Sequence, residues 1–365
     1  MAAGEVAVSN SVILNMARAR KKLLPKNFEE LLKERDLSKL KSVFETCDLN
    51  ARGGYAKQTA LAFDECPDEL TRWLVEEGAD LSATDTWGNT PLHTRSRSRR
   101  GHIEALLELG ADVNSASASI GTPLHAAADS CDVQNARLLL DRGAGVDARN
   151  KEGLTPLELA LHRCSNIDLE RMASLAEHLL AAGASRTPRM KGFVEEIGKR
   201  FEFHRSGFNP DMLDAAGAAL DDLYEMFGVD PVPRRALHEG TSPIVVKAGT
   251  WQPQHQALWE LLVPSRGPAA TVQGEVIRIS GRIARELDGN GGVNWDADFR
   301  RMADAFLEHL QKGNPLSSPD LAAAADLVAK VKRKSGDTGR MAQLAVAWVL
   351  QNPTPINLEL PAYAR

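Results

Sequence analysis

The sequence predicts a mainly α-helical protein in two parts: a solenoid of short helix–turn–helix repeats over residues 27–187, then a mostly helical domain over 188–365. Three observations predict it. Thr-Pro-Leu stands at Thr90-Pro91-Leu92, Thr122-Pro123-Leu124 and Thr155-Pro156-Leu157, after a degenerate Thr59-Ala60-Leu61, so that successive copies start 31, 32 and 33 residues apart. A second phrase keeps the same step at Gly78-Ala79-Asp80, Gly110-Ala111-Asp112, Gly143-Ala144-Gly145 and Gly183-Ala184-Ser185. From residue 188 onward helical patterning continues without the repeat. Two phrases locked to one period mark a supersecondary unit that buries its apolar face only against its neighbours.

The period, together with Thr-Pro-Leu-His at residues 90–93 and 122–125, resembles the ankyrin repeat. In that family Thr caps the inner helix of each pair and Pro occupies its first turn, where the missing N–H costs nothing. Leu packs inward, and Gly ends the outer helix with a left-handed residue. Asp and Asn favour the tight hairpin loop that follows. The resemblance implies that His93 and His125 tie neighbouring loops together and are structural. It also implies a surface for binding another protein through the concave face and loop tips.

A cap at 27–52 opens the array, with apolar residues at helical spacing from Phe28 to Phe44 and a closing Cys47-Asp48-Leu49-Asn50. Terminal repeats are atypical because one face meets water. Full repeats follow over about 53–85, 86–118, 119–151 and 152–187. The fourth is stretched around Ser165–Leu169, and the second has a short outer helix between Gly101 and Gly110. Residues 1–26 read as a flexible or helical leader. Its basic run, Arg18 to Lys22, follows the apolar stretch, the reverse of a secretory signal.

Candidate partner-binding residues come from departures from the repeat. Arg95 falls where the small Ala127 follows His125 in the next repeat, and Arg97, Arg99 and Arg100 come just after it. They form either an arginine-lined face for an acidic partner or phosphate, or an ion-pair ladder with Asp64, Glu65, Asp68, Glu69, Asp129 and Asp132. Trp87 sits on a loop tip, where an exposed Trp anchors interfaces. Tyr55, Lys57, Thr86, Ile120, Lys151 and Glu152 fill equivalent tip positions, with Arg52 and Ser119 beside them.

In 188–365, helices are expected near Pro210–Phe227, Pro253–Leu262, Gly274–Leu287, from Asp296 or Asp298 to Gln311, from Ser318 to Lys334, and at Met341–Leu350, with a short strand at Pro243–Lys247. Asp288–Asp298 fails as a calcium loop because its sixth and twelfth positions are Val293 and Phe299. Ser280 lacks a nucleophile-elbow setting, and no phosphate loop or dinucleotide fingerprint occurs. The competing expectation is an enzyme whose active site lies in 188–365, with His238, Glu239, His255 and Glu260 as the loose acid/base set. No cofactor is expected.

The bulk values fit a protein-binding role. The 365 residues carry a formal charge of −5, with 43% hydrophobic and 25% charged residues, which gives no reason to expect nucleic acid as a partner. No apolar run is long enough to span a membrane. Cys47, Cys66, Cys131 and Cys164 show no zinc spacing, and Cys131 and Cys164 share one repeat position; a reducing, cytoplasmic setting is the default.

Overall fold

Threonine, proline and glycine set the frame. The computed structural model describes residues 20–363. Most of the expected leader lies outside them; within it, Lys21–Leu23 is a strand, β1, not helix or loose chain. β1 pairs in parallel with β2 (Cys47–Gly53), which pairs antiparallel with β3 (Gln58–Thr59). Between them lie the cap helices α1 (Phe28–Glu34) and α2 (Leu37–Thr46). Asp36 caps α2 by accepting from the amides of Ser38 and Lys39.

The chain forms two compact units. In the first, Thr90, Thr122 and Thr155 precede inner helices α4 (Pro91–Arg97), α6 (Pro123–Asp129) and α8 (Pro156–Arg163), each with Pro as its first residue. These helices pack side by side. The outer helices are α3 (Asp68–Glu76), α5 (Glu104–Glu108), α7 (Val133–Asp141) and α9 (Leu169–Ala181). In the first repeat, Ala60 replaces proline and Pro67 follows soon after, so the inner helix shrinks to a 3₁₀ turn, Ala60–Ala62. The short outer helix of the second repeat is α5, and a 3₁₀ turn at Asn166–Asp168 fills the stretched connection of the fourth.

Every outer helix ends alike. The amides of Ala79, Ala111, Ala144 and Ala184 donate to carbonyls five residues back, after a glycine of positive φ. This satisfies carbonyls that the helix end leaves open. Hairpins are tied across repeats: Asp80 N donates to Asn50 Oδ1 at 2.8 Å, Gly145 N to Asn114 Oδ1 at 2.9 Å, and Ser185 N to Asp147 Oδ1 at 3.0 Å.

The repeat does not stop at 187. Thr187-Pro188 opens α10 (Pro188–His204), and α11 (Pro210–Phe227) ends on Gly228-Val229-Asp230. There the Val229 amide donates to Tyr224 O at 3.0 Å, the same bond that closes the earlier outer helices. Residues up to Gly198 and Asp211–Pro231 accordingly belong to the first unit. They form a fifth, degenerate helix pair where the sequence reading began the second domain.

The second unit comprises Lys199–Pro210 and the chain from Val232 onward. Its helices are α12 (Trp251–Leu262), α13 (Val272–Ala284), α14 (Ala297–His309), α15 (Ser318–Val331) and α16 (Thr338–Gln351). Helix α13 is central: Val272 through Ser280 are all buried, against α12, α14 and α16. Its one charged pair is fully bonded. Arg278 donates to Glu275 at 2.6 and 2.8 Å, and Glu275 also accepts from Ala269 N and from Tyr363 Oη at 2.7 Å. The expected strand at Pro243–Lys247 does not form; Ile244 N donates to Pro353 O.

Candidate protein-recognition face

At the C-terminal end of inner helix α4 the arginine run divides into one interior residue, Arg95, and three exposed ones, Arg97, Arg99 and Arg100. Arg95 lies where the next repeat has Ala127, and its side chain is fully buried. Its Nη1 donates to Thr71 Oγ1 at 3.3 Å, Nη2 stands 3.7 Å from Asp68, and Nε has no partner. Gly101 allows the chain to close over it, since a Cβ there would fall 2.2 Å from Arg95 O. Arg95 is therefore corrected from a candidate contact to an interior residue, because no solvent-facing atom remains to meet a partner.

Arg97 and Arg163 share one carboxylate. Arg97 Nε donates to Asp129 Oδ2 and Arg163 Nη1 to Asp129 Oδ1, both at 2.9 Å. Asp129 is only 8% exposed, while the arginines are 60% and 39% exposed. Arg99 and Arg171 likewise approach Asp168, at 3.7 and 3.2 Å. Four guanidinium groups thus share two carboxylates, and the row keeps excess positive charge. Arg100, together with Arg99, borders a cleft of about 580 Å³ lined by Asp64, Glu65, Asp68 and Glu69. Burial pushes the Asp64 carboxyl up, and a hydrogen bond from Ser98 opposes that.

At the loop tips, Tyr55 and Trp87 pair across adjacent hairpins, ring centroids 5.9 Å apart and planes at 42°. Both stay open to solvent, at 92% and 49% exposed. The Trp87 hairpin is fixed by Asp85, which accepts from the amides of Trp87 and Asn89 at 2.8 Å. Thr86 donates through N and Oγ1 to Ala56 O, and Arg52 donates to Lys57 O and Thr84 O, locking the two tips together. Lys57 has positive φ and is exposed, as are Thr86, Lys151 and Glu152. Ile120 is a second correction: it packs in the core with Ala126, Leu154 and Leu159, because its apolar side chain has a pocket beneath the hairpin.

Trp87 and Arg97 border one cleft of about 110 Å³, together with Gln58, Asn89 and Thr94. Trp87, with Tyr55 against it, thus stands beside Arg97 on this face. Arg163 was missed from sequence. Its signal was its spacing, since Arg97, Asp129 and Arg163 recur at 32 and 34 residues and fall on successive inner helices.

The loop histidines are interior. His93 Nε2 meets Gly121 O at 2.9 Å and His125 Nε2 meets Leu154 O at 3.0 Å, while each Nδ1 faces its own threonine cap. The Nε2–H tautomer satisfies both ends. Burial holds both rings below the ordinary histidine range. All four cysteines are free and buried, and burial pushes the Cys131 thiol up to about 12.

The members of the loose acid/base set hydrogen-bond to other groups than one another. His238 faces Gly240 N and Ser242 Oγ in its own turn, and Glu239 accepts from Ser242 N. His255 meets Ser280 Oγ at 2.9 Å, but Ser280 is buried and donates to Ile277 O. Among the described residues no group of three or more His, Cys, Asp or Glu side chains gathers in metal-binding geometry, and no helix is long and apolar enough to cross a membrane.

Stacked helix pairs at one sequence period, capped by threonine and tied by hairpins, define a helical-repeat protein of the binding-scaffold class. Residues 124–175 match the family model for ankyrin repeats, and the chain carries ankyrin repeats. It is 37% identical over 109 residues to mouse Ankyrin repeat and SOCS box protein 5, covering 30% of this chain and 31% of that one. Over 91 residues it is 43% identical to the Drosophila melanogaster Neurogenic locus Notch protein, covering 24% and 3%. Over 101 residues it is 33% identical to the Phosphocholine transferase AnkX of Legionella pneumophila, covering 26% and 11%. The chain spans under a third of the length of these curated relatives. A solved ankyrin repeat domain from Acinetobacter baumannii aligns with a TM-score of 0.40 and 21% identity over 56% of this chain and 98% of that one.

Proposed function

We propose that this chain recognises a macromolecular partner, a protein with an acidic surface patch, through the concave side of its repeats. The carrying observation is the exposed Tyr55–Trp87 pair standing at the rim of the cleft that Arg97 lines. Aromatic anchors on a rigid frame supply contact area at low entropic cost, and arginines around them choose the partner. Asp129 is held by two arginines, so a partner carboxylate draws the exposed Arg97 away while Arg163 keeps Asp129 paired. Lys57, Thr86, Lys151 and Glu152 extend the contact along the tips.

Such a protein acts by occupying or positioning its partner, as a regulator or immunity-type protein does. The four buried thiols suit a reducing compartment, and we assign the chain to the cytoplasm. The test is affinity capture with the full chain and with a triple variant, Tyr55→Ala, Trp87→Ala, Arg97→Glu, read by mass spectrometry. Proteins lost from the variant and enriched in surface Asp and Glu support the reading; an unchanged capture profile refutes it.

A further inference from the structure

The second unit carries a cleft of about 650 Å³, within the range of small-molecule sites. One wall is aromatic: the Phe203 and Trp259 rings lie within 13° of parallel, centroids 6.4 Å apart. Trp259 fits there because residue 281 is glycine; a Cβ on Gly281 would stand 2.4 Å from Trp259 Cζ3. The other side holds Arg282 and Arg285, at the point where α13 loosens into a π-helical turn, Arg285–Gly289. Such turns concentrate at functional sites.

The charge around this cleft is lopsided. Arg235 lies 4.3 Å over the Phe203 ring and gives its hydrogen bonds to the uncharged carbonyls of Trp259, Glu260 and Val263. Neither Arg285 nor Arg266 forms an ion pair among the described residues. Burial and then the charges of Arg266, Arg285 and Arg235 hold the His204 imidazole below its usual range, so three guanidinium fields meet at its ring. Glu286, the carboxylate in the lining, already accepts from Asn294 N at 2.6 Å and Asn290 Nδ2 at 3.1 Å. An aromatic wall facing several cations, with the nearby carboxylate occupied, is the chemistry of a planar dianion site.

We propose that this cleft binds a planar organic phosphate of mononucleotide size, its ring against Trp259 and Phe203 and its phosphate toward Arg285 and Arg266. The site stands independently of the partner-recognition reading of the repeats.

The test is calorimetric titration of the full chain with AMP, UMP and 1-naphthyl phosphate, beside adenosine, 1-naphthol and inorganic phosphate. At least one planar phosphate is expected to bind one-to-one, roughly 10-fold or more tighter than its dephosphorylated ring and than phosphate alone. Arg285→Glu with Arg266→Glu is expected to weaken that binding by about 10-fold or more, since the charges change sign. Both arginines are exposed, so the fold is retained and circular dichroism checks it. No saturable binding of any of the three phosphates up to millimolar concentration overturns the proposal. Equal binding of the phosphate-free rings, or affinity unmoved by the double charge reversal, overturns it as well.

Discussion

Thr187 Oγ1 donates to Glu158 Oε1 at 2.6 Å, and through this bond the fourth repeat holds the fifth. Glu158 stands where the earlier repeats have His93 and His125. It keeps both duties of that histidine: Oε2 accepts from the Thr155 amide at 3.0 Å, and Oε1 reaches the next repeat. The donor and acceptor are exchanged. A histidine N–H gives to a carbonyl, whereas a carboxylate takes from a hydroxyl.

Glu158→Ala should therefore loosen residues 187–231 more than the rest of the array. Losing a helix cap and a buried charge-assisted bond costs about 2–3 kcal/mol. Hydrogen–deuterium exchange is expected to show faster exchange in α10 and α11 with α4 and α6 unchanged. Glu158→His should restore much of the protection, since the imidazole fits the same place in two other repeats. Equal acceleration throughout would contradict this coupling.

Asp129 restrains the two arginines of the recognition face, so removing its charge should release them. Asp129→Asn is expected to lower stability by ~1 kcal/mol and to tighten capture of an acidic partner. Trp87→Ala should weaken the same capture by roughly 10- to 30-fold, the loss of an aromatic anchor, with little change in melting temperature because the ring is half exposed. Affinity should also fall as salt rises from 50 to about 300 mM. Pull-down titrations and melting curves on the same variants check all three.

Arg95 predicts an asymmetry. A buried guanidinium with Nε unpaired and its carboxylate at 3.7 Å is poorly compensated. Arg95→Met keeps the volume and discards the charge; it should be neutral or stabilising by about 1 kcal/mol. Asp68→Ala leaves the charge without its carboxylate and should destabilise by ~1–3 kcal/mol. Urea unfolding separates the two. Partner capture should be unchanged in Arg95→Met, because the residue is interior.

The repeat phrases made the first unit legible because cap, proline and glycine act locally, within a few residues of one another. What they could not reveal was depth. Arg95 and Arg97 look alike in sequence, yet one is sealed under Gly101 and the other lies on the surface. The fifth repeat was hidden for a related reason. Thr187-Pro188 keeps the 32-residue step after Thr155, but Arg189 replaces leucine and Val229 replaces alanine, so the phrase is lost while its hydrogen bonds persist. Helix α13 carries Glu275 and Arg278, charges that in sequence suggest a solvent face, yet they bond each other inside the core. The cleft beside Trp259 left no motif, since its residues come from four separate stretches of chain.

His309 sets the acid limit of the second unit. It is buried on α14, neither ring nitrogen has a hydrogen-bond partner, and burial, with Lys312 adding to it, pushes its pKa down to about 4. The unfolded chain protonates near 6.5, so between pH 6.5 and about 4 it binds a proton that the folded chain refuses. Stability is full above pH 6.5 and falls through that window, by about 3 kcal/mol for this group alone. His93, His125 and His255 are lowered too, so they act in the same direction, beginning from the same upper limit. Urea midpoints measured from pH 7.5 to 4.5 should drop steadily below about 6.5, and His309→Leu should flatten part of that drop. A midpoint that holds constant, or rises, on acidification through this range would show that the ring is charged in the fold.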